Sequence, residues 1–162
     1  MKVRDLFAFG NTSEKRRTGV SRYLIKCSDK ALKCSPIDFG VPADGGFRIA
    51  KRQNWIFKKG WSRCDGYEVL SNHQLTDENG EGQALDLVPY IKGKGLSYEA
   101  FGRFGIIGTL MLEAWEELQE AGEIPKDLFL HWGGFWKSRD GIKLGWDLAH
   151  FEIRKYEQKI RL

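Results

Sequence analysis

The spacing of apolar residues predicts helices in three segments. In residues 13–35 apolar side chains recur every three or four positions, which is typical of one buried helix face, and Pro36 ends the pattern. A shorter helix is predicted for residues 49–59, with Gly60 as its stop signal. The longest helix is predicted for residues 97–121, which carry an apolar stripe from Ile107 to Leu118.

Short alternating or β-branched segments predict strands at residues 37–41, 84–88, 128–132 and 150–153. A polar, glycine-containing stretch, residues 76–82, precedes the second of them. If residues 71–74 and 84–88 are the arms of a hairpin, His73 and Asp86 face each other across it. Helices followed by strands around one long helix indicate an α+β fold.

Length and composition narrow the class of protein. A chain of 162 residues favours one domain, spanning residues 1–162. With 41% hydrophobic and 30% charged residues, it is neither disordered nor a membrane protein, and its apolar runs are too short for a transmembrane helix. Three cysteines without paired or metal-finger spacing, and no signal-peptide pattern, are expected to be reduced thiols.

Charge is spread unevenly along the chain. The formal net charge is +4, but residues 1–70 carry 15 basic and 7 acidic side chains, whereas residues 71–162 carry 11 and 15. A basic half could contact an anionic partner such as nucleic acid, lipopolysaccharide or a cell-wall polymer. It could equally be a solvated basic surface, and the sequence leaves both open.

Three histidines, at positions 73, 131 and 150, are the candidates for chemistry. His73 and Asp86 flank the predicted hairpin loop, and His150 lies in the last predicted strand. Two imidazoles and one carboxylate are a common protein ligand set for catalytic zinc, with a fourth position for water. A lone histidine beside aromatic residues is also often a satisfied structural residue, so spacing alone leaves the metal site open.

Four short motifs in a fixed order resemble those of the D-alanyl-D-alanine carboxypeptidase family of zinc peptidases. They are Ser71-x-His73, Gly82-x-Ala84-x-Asp86-Leu87, Trp132-Gly133-Gly134-x-Trp136 and Asp147-x-x-His150-Phe151-Glu152. Within that family the chain is similar to phage endolysins that cut the L-alanyl–D-glutamate bond of peptidoglycan stem peptides. The likeness covers residues 37–153, which is 117 of 162 residues.

This resemblance implies a small antiparallel sheet with helices packed on it, as in hedgehog and D-alanyl-D-alanine peptidase domains. It implies Zn²⁺ as the cofactor, with His73, Asp86 and His150 as ligands. It also implies that Asp147 is the catalytic acid/base and that Arg48 is a cation binding the substrate or the transition state.

Other residues of these motifs have two interpretations each. Ser71 either orients the substrate or caps a turn, and Trp132 either contacts the substrate or packs in the core or groove wall. In an extended strand, residues two apart share a face, which would place Glu152 rather than Asp147 beside His150. The resemblance instead implies a bend that returns Asp147 to the metal, and we follow it.

The chain departs from the family pattern at two points. Twelve residues separate His73 from Asp86, six more than is usual, and residues 76–81 are expected to project into solvent. They either form a passive insertion or act as a flap or second-cation site. Phe135 stands where these enzymes often have an aspartate, and His131, which matches no ligand, is expected to be structural.

We therefore expect a monomeric zinc peptidase that binds a peptidoglycan stem peptide and no nucleic acid, with possible electrostatic contact to an anionic envelope. By resemblance it would accumulate in the host cytoplasm and reach the periplasm through a holin. The alternatives are a D-alanyl-D-alanine carboxypeptidase and, from another class, a non-catalytic zinc-containing module that binds the cell wall.

Overall fold

The computed structural model describes residues 7–137 and 145–156. The boundaries predicted for the single domain, residues 1 and 162, lie outside these ranges. The single domain therefore stays a prediction. The helices are α1 (Asn11–Arg16), α2 (Arg22–Lys33), α3 (Ala50–Lys58) and α4 (Phe101–Glu120), with a short 3-10 helix at Gly133–Phe135. The strands are β1 (Phe39–Gly40), β2 (Ala84–Asp86), β3 (Val88–Ile91), β4 (Gly95–Leu96), β5 (Leu128–Trp132) and β6 (His150–Lys155).

Six strands form two small antiparallel sheets, in the orders β1-β3-β4 and β2-β6-β5. In the second sheet β6 is central, and Asp86 of β2 stands opposite His150 of β6. The prediction of an α+β fold with small antiparallel sheets and packed helices is confirmed. None of the helices in the described residues is long and apolar enough to cross a membrane.

The core lies between α2, α4 and the β2-β6-β5 sheet. The apolar faces of the two helices meet there because their apolar residues recur every three or four positions. On α4 the residues of the predicted stripe that are fully buried are Ile107, Met111, Ala114, Trp115 and Leu118. Polar side chains lie outside this core, at the end of the sheet where β2 ends and β6 begins.

The single helix predicted for residues 13–35 is wrong, because two helices occupy that segment. Gly19 adopts φ 81° between them, a left-handed conformation that interrupts a helix and that glycine reaches at little cost. The backbone of Ser21 then donates to Gly82 O at 2.8 Å, and its hydroxyl accepts from the N–H of Tyr23 at the start of α2. The apolar periodicity begins only at Val20, after the break, so it gives no evidence for one continuous helix over the polar residues before it.

The hairpin predicted between residues 71–74 and 84–88 is also wrong. Residues 72–74 form a turn, and β2 pairs with β6 instead. Residues 84–88 divide at Leu87, since Asp86 ends one sheet and Val88 begins the other. His73 and Asp86 still meet, but a turn brings them together rather than a strand pair.

The loop at residues 76–81 is only partly free of the rest of the protein. Glu78, Asn79 and Gly80 are exposed, as expected. Glu81, however, is held at the N-terminus of α2, where its carboxylate accepts from the backbone N–H of Arg22 at 3.0 Å and from the guanidinium Nε at 2.9 Å. The expectation that the whole loop projects into solvent is therefore wrong at this end.

Candidate metal centre

Three side chains that are distant in sequence meet in one cluster. Nε2 of His73 lies 3.1 Å from Nδ1 of His150 and 3.2 Å from Oδ1 of Asp86. Nδ1 of His150 lies 3.1 Å from the same carboxylate oxygen. Among the residues that the structure describes, this is the one group of three or more His, Cys, Asp or Glu side chains arranged to hold a metal ion.

The donor set fits zinc in both chemistry and spacing. Zinc takes imidazole nitrogen and carboxylate oxygen at about 2.0–2.2 Å in tetrahedral geometry, which places neighbouring ligand atoms roughly 3.3 Å apart. The three separations in this cluster are 3.1, 3.1 and 3.2 Å. Three protein ligands leave a fourth position for water or substrate, as in catalytic zinc sites.

His73 reaches the cluster from the turn at residues 72–74 and is fully buried. Its Nδ1 is 2.8 Å from the carbonyl oxygen of Gly46, so Nδ1 carries the proton and Nε2 presents its lone pair to the cluster. Burial lowers the pKa of His73, more strongly than the charge of Asp86 raises it. The imidazole is therefore neutral at pH 7, as a metal ligand must be.

His150 is oriented in the same way by a buried carboxylate. Its Nε2 donates to Oε2 of Glu152 at 2.9 Å, which leaves Nδ1 for the cluster. Glu152 is 2% exposed and also accepts hydrogen bonds from Asn72 and Arg154. Burial opposes its ionisation, but the combined hydrogen bonds and charges of His150, Asn72 and Arg154 outweigh this, and the pKa of Glu152 falls to about 2.

Burial disfavours a charge on His150, but hydrogen bonds to Asp86 and Glu152 outweigh it and raise the pKa of His150 to about 10. For Asp86, burial is likewise outweighed by His73, His150 and Arg48, which hold its pKa well below the usual range. A cation would compete with the histidine proton for Nδ1, so metal binding is coupled to proton release.

Arg48 contacts the candidate ligand Asp86. One guanidinium nitrogen donates to Oδ2 of Asp86 at 2.9 Å, and the others donate to Oε1 of Gln53 at 3.2 Å and to the carbonyl oxygen of Asp44 at 2.6 Å. The side chain retains 12% exposure. The contact with Asp86 holds Oδ2, the carboxylate oxygen that does not face the two histidines. The role of Arg48 in binding substrate stays a prediction.

Asp147 lies in the turn that precedes β6, so the backbone bends between it and His150. Gly133 makes this turn possible, since a Cβ there would lie 2.1 Å from the carbonyl oxygen of Asp147. Burial, followed by the negative charge of Asp86, raises the pKa of Asp147 to about 6. A carboxyl group with a pKa near neutrality can both accept and return a proton.

Ser71 and Trp132 both have structural contacts. The hydroxyl of Ser71 accepts from the backbone N–H of His73 at 3.2 Å, which orders the turn that presents the histidine. The indole of Trp132 donates to the carbonyl oxygen of Leu148 at 2.8 Å and stacks on Phe151 at 6.3 Å. Their predicted contacts with substrate stay predictions.

Sequence reasoning missed several residues around the cluster. Asn72 and Arg154 hold Glu152, and the alternation of His150, Glu152 and Arg154 along one strand could have indicated part of this network. Tyr98 was also missed, and its pKa rises to about 12 through burial and the charges of Asp86 and Asp147. No sequence signal links Tyr98 to these carboxylates.

One wall of the site is aromatic. The ring of Trp136 lies 5.0 Å from that of His150 and is stacked on Trp146 at 6.3 Å. Arg63 lies over Trp146 at 4.6 Å. Trp136 also donates to Nε2 of His131 at 2.7 Å, which agrees with a structural role for that histidine.

Comparisons with known proteins agree with this geometry. The family model described as phage L-alanyl-D-glutamate peptidase matches residues 6–153. The crystal structure of Serratia marcescens L-Ala D-Glu endopeptidase ChiX is similar in fold, with a TM-score of 0.62 and 24% identity over 94% of this chain and 93% of that chain. A search of curated proteins finds none that matches.

Proposed function

The chain belongs to the phage L-alanyl-D-glutamate peptidases, and we propose that it is a zinc-dependent one whose ion is held by His73, Asp86 and His150. The observation that carries the proposal is the convergence of His73 Nε2, Asp86 Oδ1 and His150 Nδ1, within 3.2 Å of one another. Zinc suits this set better than magnesium or calcium, which prefer oxygen ligands.

A bound zinc ion would supply Lewis acidity to polarise the scissile carbonyl group and to acidify water. The protein's own groups handle the proton. We propose that Asp147 accepts a proton from water at a carboxylate oxygen and returns it to the leaving amine of D-glutamate. The pKa of about 6 supports this assignment, because a base works best when its pKa is close to the working pH.

Glu152 is not the base in this proposal. Its carboxylate meets His150 at Nε2, whereas the donor atom of the cluster is Nδ1, so the imidazole ring separates Glu152 from the other two ligands. Its role is to hold the proton on Nε2 and the orientation of the ring, as carboxylates do behind zinc-bound histidines. Asp147 is therefore the carboxylate that we assign to proton transfer.

The family match favours the endopeptidase over both alternatives. A carboxypeptidase would release a terminal D-alanine, and a non-catalytic wall-binding module would require no acid/base. We further propose that the protein acts as a monomer and that it accumulates in the host cytoplasm until a holin admits it to the periplasm. Light scattering of the purified protein tests the monomeric state. Lysis with and without a co-expressed holin tests the route to the periplasm.

The experiment that tests the zinc proposal combines metal analysis with product analysis. The purified chain should contain about one zinc per molecule, lose hydrolysis on chelation and regain it with added zinc. Mass spectrometry of digested peptidoglycan should show new amino termini on D-glutamate. Active protein without zinc would contradict the metal assignment, and release of free D-alanine would indicate the carboxypeptidase.

A further inference from the structure

One short segment of the basic half of the chain carries positive charge and no acidic side chain. Residues 49–61, called here the basic-aromatic surface, contain Lys51, Arg52, Lys58 and Lys59 and no acidic residue. These four charges are half of the net +8 of residues 1–70, whereas residues 71–162 carry a net charge of −4. An anionic partner can therefore meet this segment without repulsion from an acidic side chain within it.

The same segment exposes large apolar side chains. Ile49 is 64% exposed, Trp61 68%, Phe57 41% and Trp55 39%. Within α3 only Gln53 and Ile56 are buried. Exposed aromatic rings interleaved with lysines mark a surface that meets a partner having both an apolar and an anionic part.

Helix geometry places part of this surface on the side of α3 opposite Gln53, whereas Phe57 lies about 40° from Gln53. Gln53 faces inward and binds Arg48, which in turn binds Asp86. At about 100° per residue, Lys51, Trp55 and Lys58 lie roughly 140–200° around the helix from Gln53. One scissile peptide bound at the metal centre would therefore not cover them.

Contacts within the surface leave its lysines available. Arg52 is paired with Asp44 at 2.7 Å and lies over the ring of Trp55 at 4.1 Å. Lys59 lies near the same ring at 5.4 Å, and Trp61 packs edge-on against it at 5.6 Å. In the described part of the chain no ion pair involves any of the three lysines of the surface, at positions 51, 58 and 59.

We propose that the basic-aromatic surface docks on a lipid bilayer with anionic headgroups. Interfacial helices have this composition, with Lys and Arg reaching the headgroups and Trp and Phe entering the boundary with the acyl chains. Nucleic acid fits less well, because it offers phosphate charge but no apolar layer for Ile49 and Phe57, which are 64% and 41% exposed. A glycan strand is a poorer partner for this surface, because its sugar rings are uncharged and would not attract the lysines.

Docking in this way would orient the enzyme. Lys51, Trp55 and Lys58 would face the bilayer, while Gln53 on the opposite side of α3 contacts Arg48 and, through it, Asp86. The protein would then search the peptidoglycan layer from the adjacent membrane. This inference concerns a surface separate from the metal site and does not depend on the identity of the metal.

The test measures binding of the purified full chain to vesicles by co-sedimentation. Vesicles of phosphatidylcholine alone are compared with vesicles containing phosphatidylglycerol, at low and high salt. The chain should bind only the anionic vesicles, and high salt should release it. The triple variant Lys51→Gln, Lys58→Gln, Lys59→Gln should lose on the order of 100-fold in affinity, since each basic residue near an anionic surface contributes roughly fivefold.

A matched variant removes three exposed lysines elsewhere, Lys92→Gln, Lys94→Gln and Lys126→Gln. It should bind vesicles nearly as well as the unmodified chain. Equal losses in both triple variants would show that only net charge matters and would overturn the proposal. Absence of vesicle binding would also overturn it, whether or not the chain binds purified sacculi or duplex DNA. Hydrolysis of soluble peptidoglycan fragments should be unchanged in both variants, which separates this result from the proposed function.

Discussion

Oε2 of Glu152 lies 2.9 Å from Nε2 of His150, on the opposite side of the imidazole from the Nδ1 atom that faces Asp86. One strand therefore supplies both a candidate ligand and the group that orients it. The residues are two positions apart on β6, so their side chains share a face of the sheet. This contact gives Glu152 an orienting role that differs from the acid/base role proposed for Asp147.

We expect Glu152→Gln to weaken zinc binding by about 10–100-fold, because the amide no longer attracts the proton on His150 Nε2 and the ring loses its fixed tautomer. Chelator competition measures the affinity, and nitrogen NMR of the imidazole reports the tautomer. Glu123→Gln, at an exposed acid paired with Lys26, is the control and should not change either measurement. Unaltered zinc affinity and tautomer in Glu152→Gln would refute the orienting role.

We expect Asp147→Asn to retain zinc and the fold but to lose turnover by about 10²–10⁴-fold, the usual contribution of a positioned acid/base. The variant is compared with Glu152→Gln at saturating zinc, which should retain much more activity. Metal content, circular dichroism and product release under these conditions are the measurements. If instead Asp147→Asn is active and Glu152→Gln is inactive with zinc bound, the two assignments are reversed.

Arg48→Lys should reveal whether this cation acts on the metal ligand or on the substrate. A lysine keeps one positive charge but cannot reproduce the contacts of the guanidinium with Asp86, Gln53 and the Asp44 carbonyl oxygen. We expect weaker zinc binding, with little change in KM once zinc is saturating. Normal zinc affinity with a raised KM or a lowered kcat would instead favour direct contact with the substrate or transition state.

Glu81→Gln should lower the urea midpoint of unfolding slightly at pH 7. The hydrogen bond from Arg22 lowers the pKa of Glu81 below its ordinary value of 4.5. Its stabilising effect is therefore full above that value and is lost as the pH falls through the lower folded-state pKa. The difference between the variant and the unmodified chain should shrink in acid, and Glu78→Gln, at the exposed loop tip, should have no effect at either pH.

The contact between Glu81 and Arg22 also determines the effect of shortening the loop at residues 76–81. Removing all of residues 76–81 would delete Glu81, whose carboxylate lies at the N-terminus of α2. A deletion confined to the exposed tip at residues 78–80 leaves that contact in place. The two deletions therefore separate the loop length itself from the attachment of the loop to α2.

The sequence by itself determined the local elements with strong periodicity and, through its motifs, the peptidase family. The apolar stripe of α4 and the β-branched and aromatic residues of β5 and β6 were sufficient, because local backbone preference and burial agree in these segments. The motifs that carry His73, Asp86 and His150 implied the candidate ligand set through their resemblance to a zinc-peptidase family, whereas residue spacing alone left it open.

Only the tertiary structure decided how these residues meet. The break at Gly19 depends on the pairing of residues 19–21 with Gly82, a contact across more than sixty positions that apolar periodicity does not encode. The turn that presents His73 in place of a strand likewise depends on a hydrogen bond between distant residues, from Nδ1 of His73 to the carbonyl oxygen of Gly46. Such contacts form between segments that are distant in sequence, and therefore local propensity could not predict them.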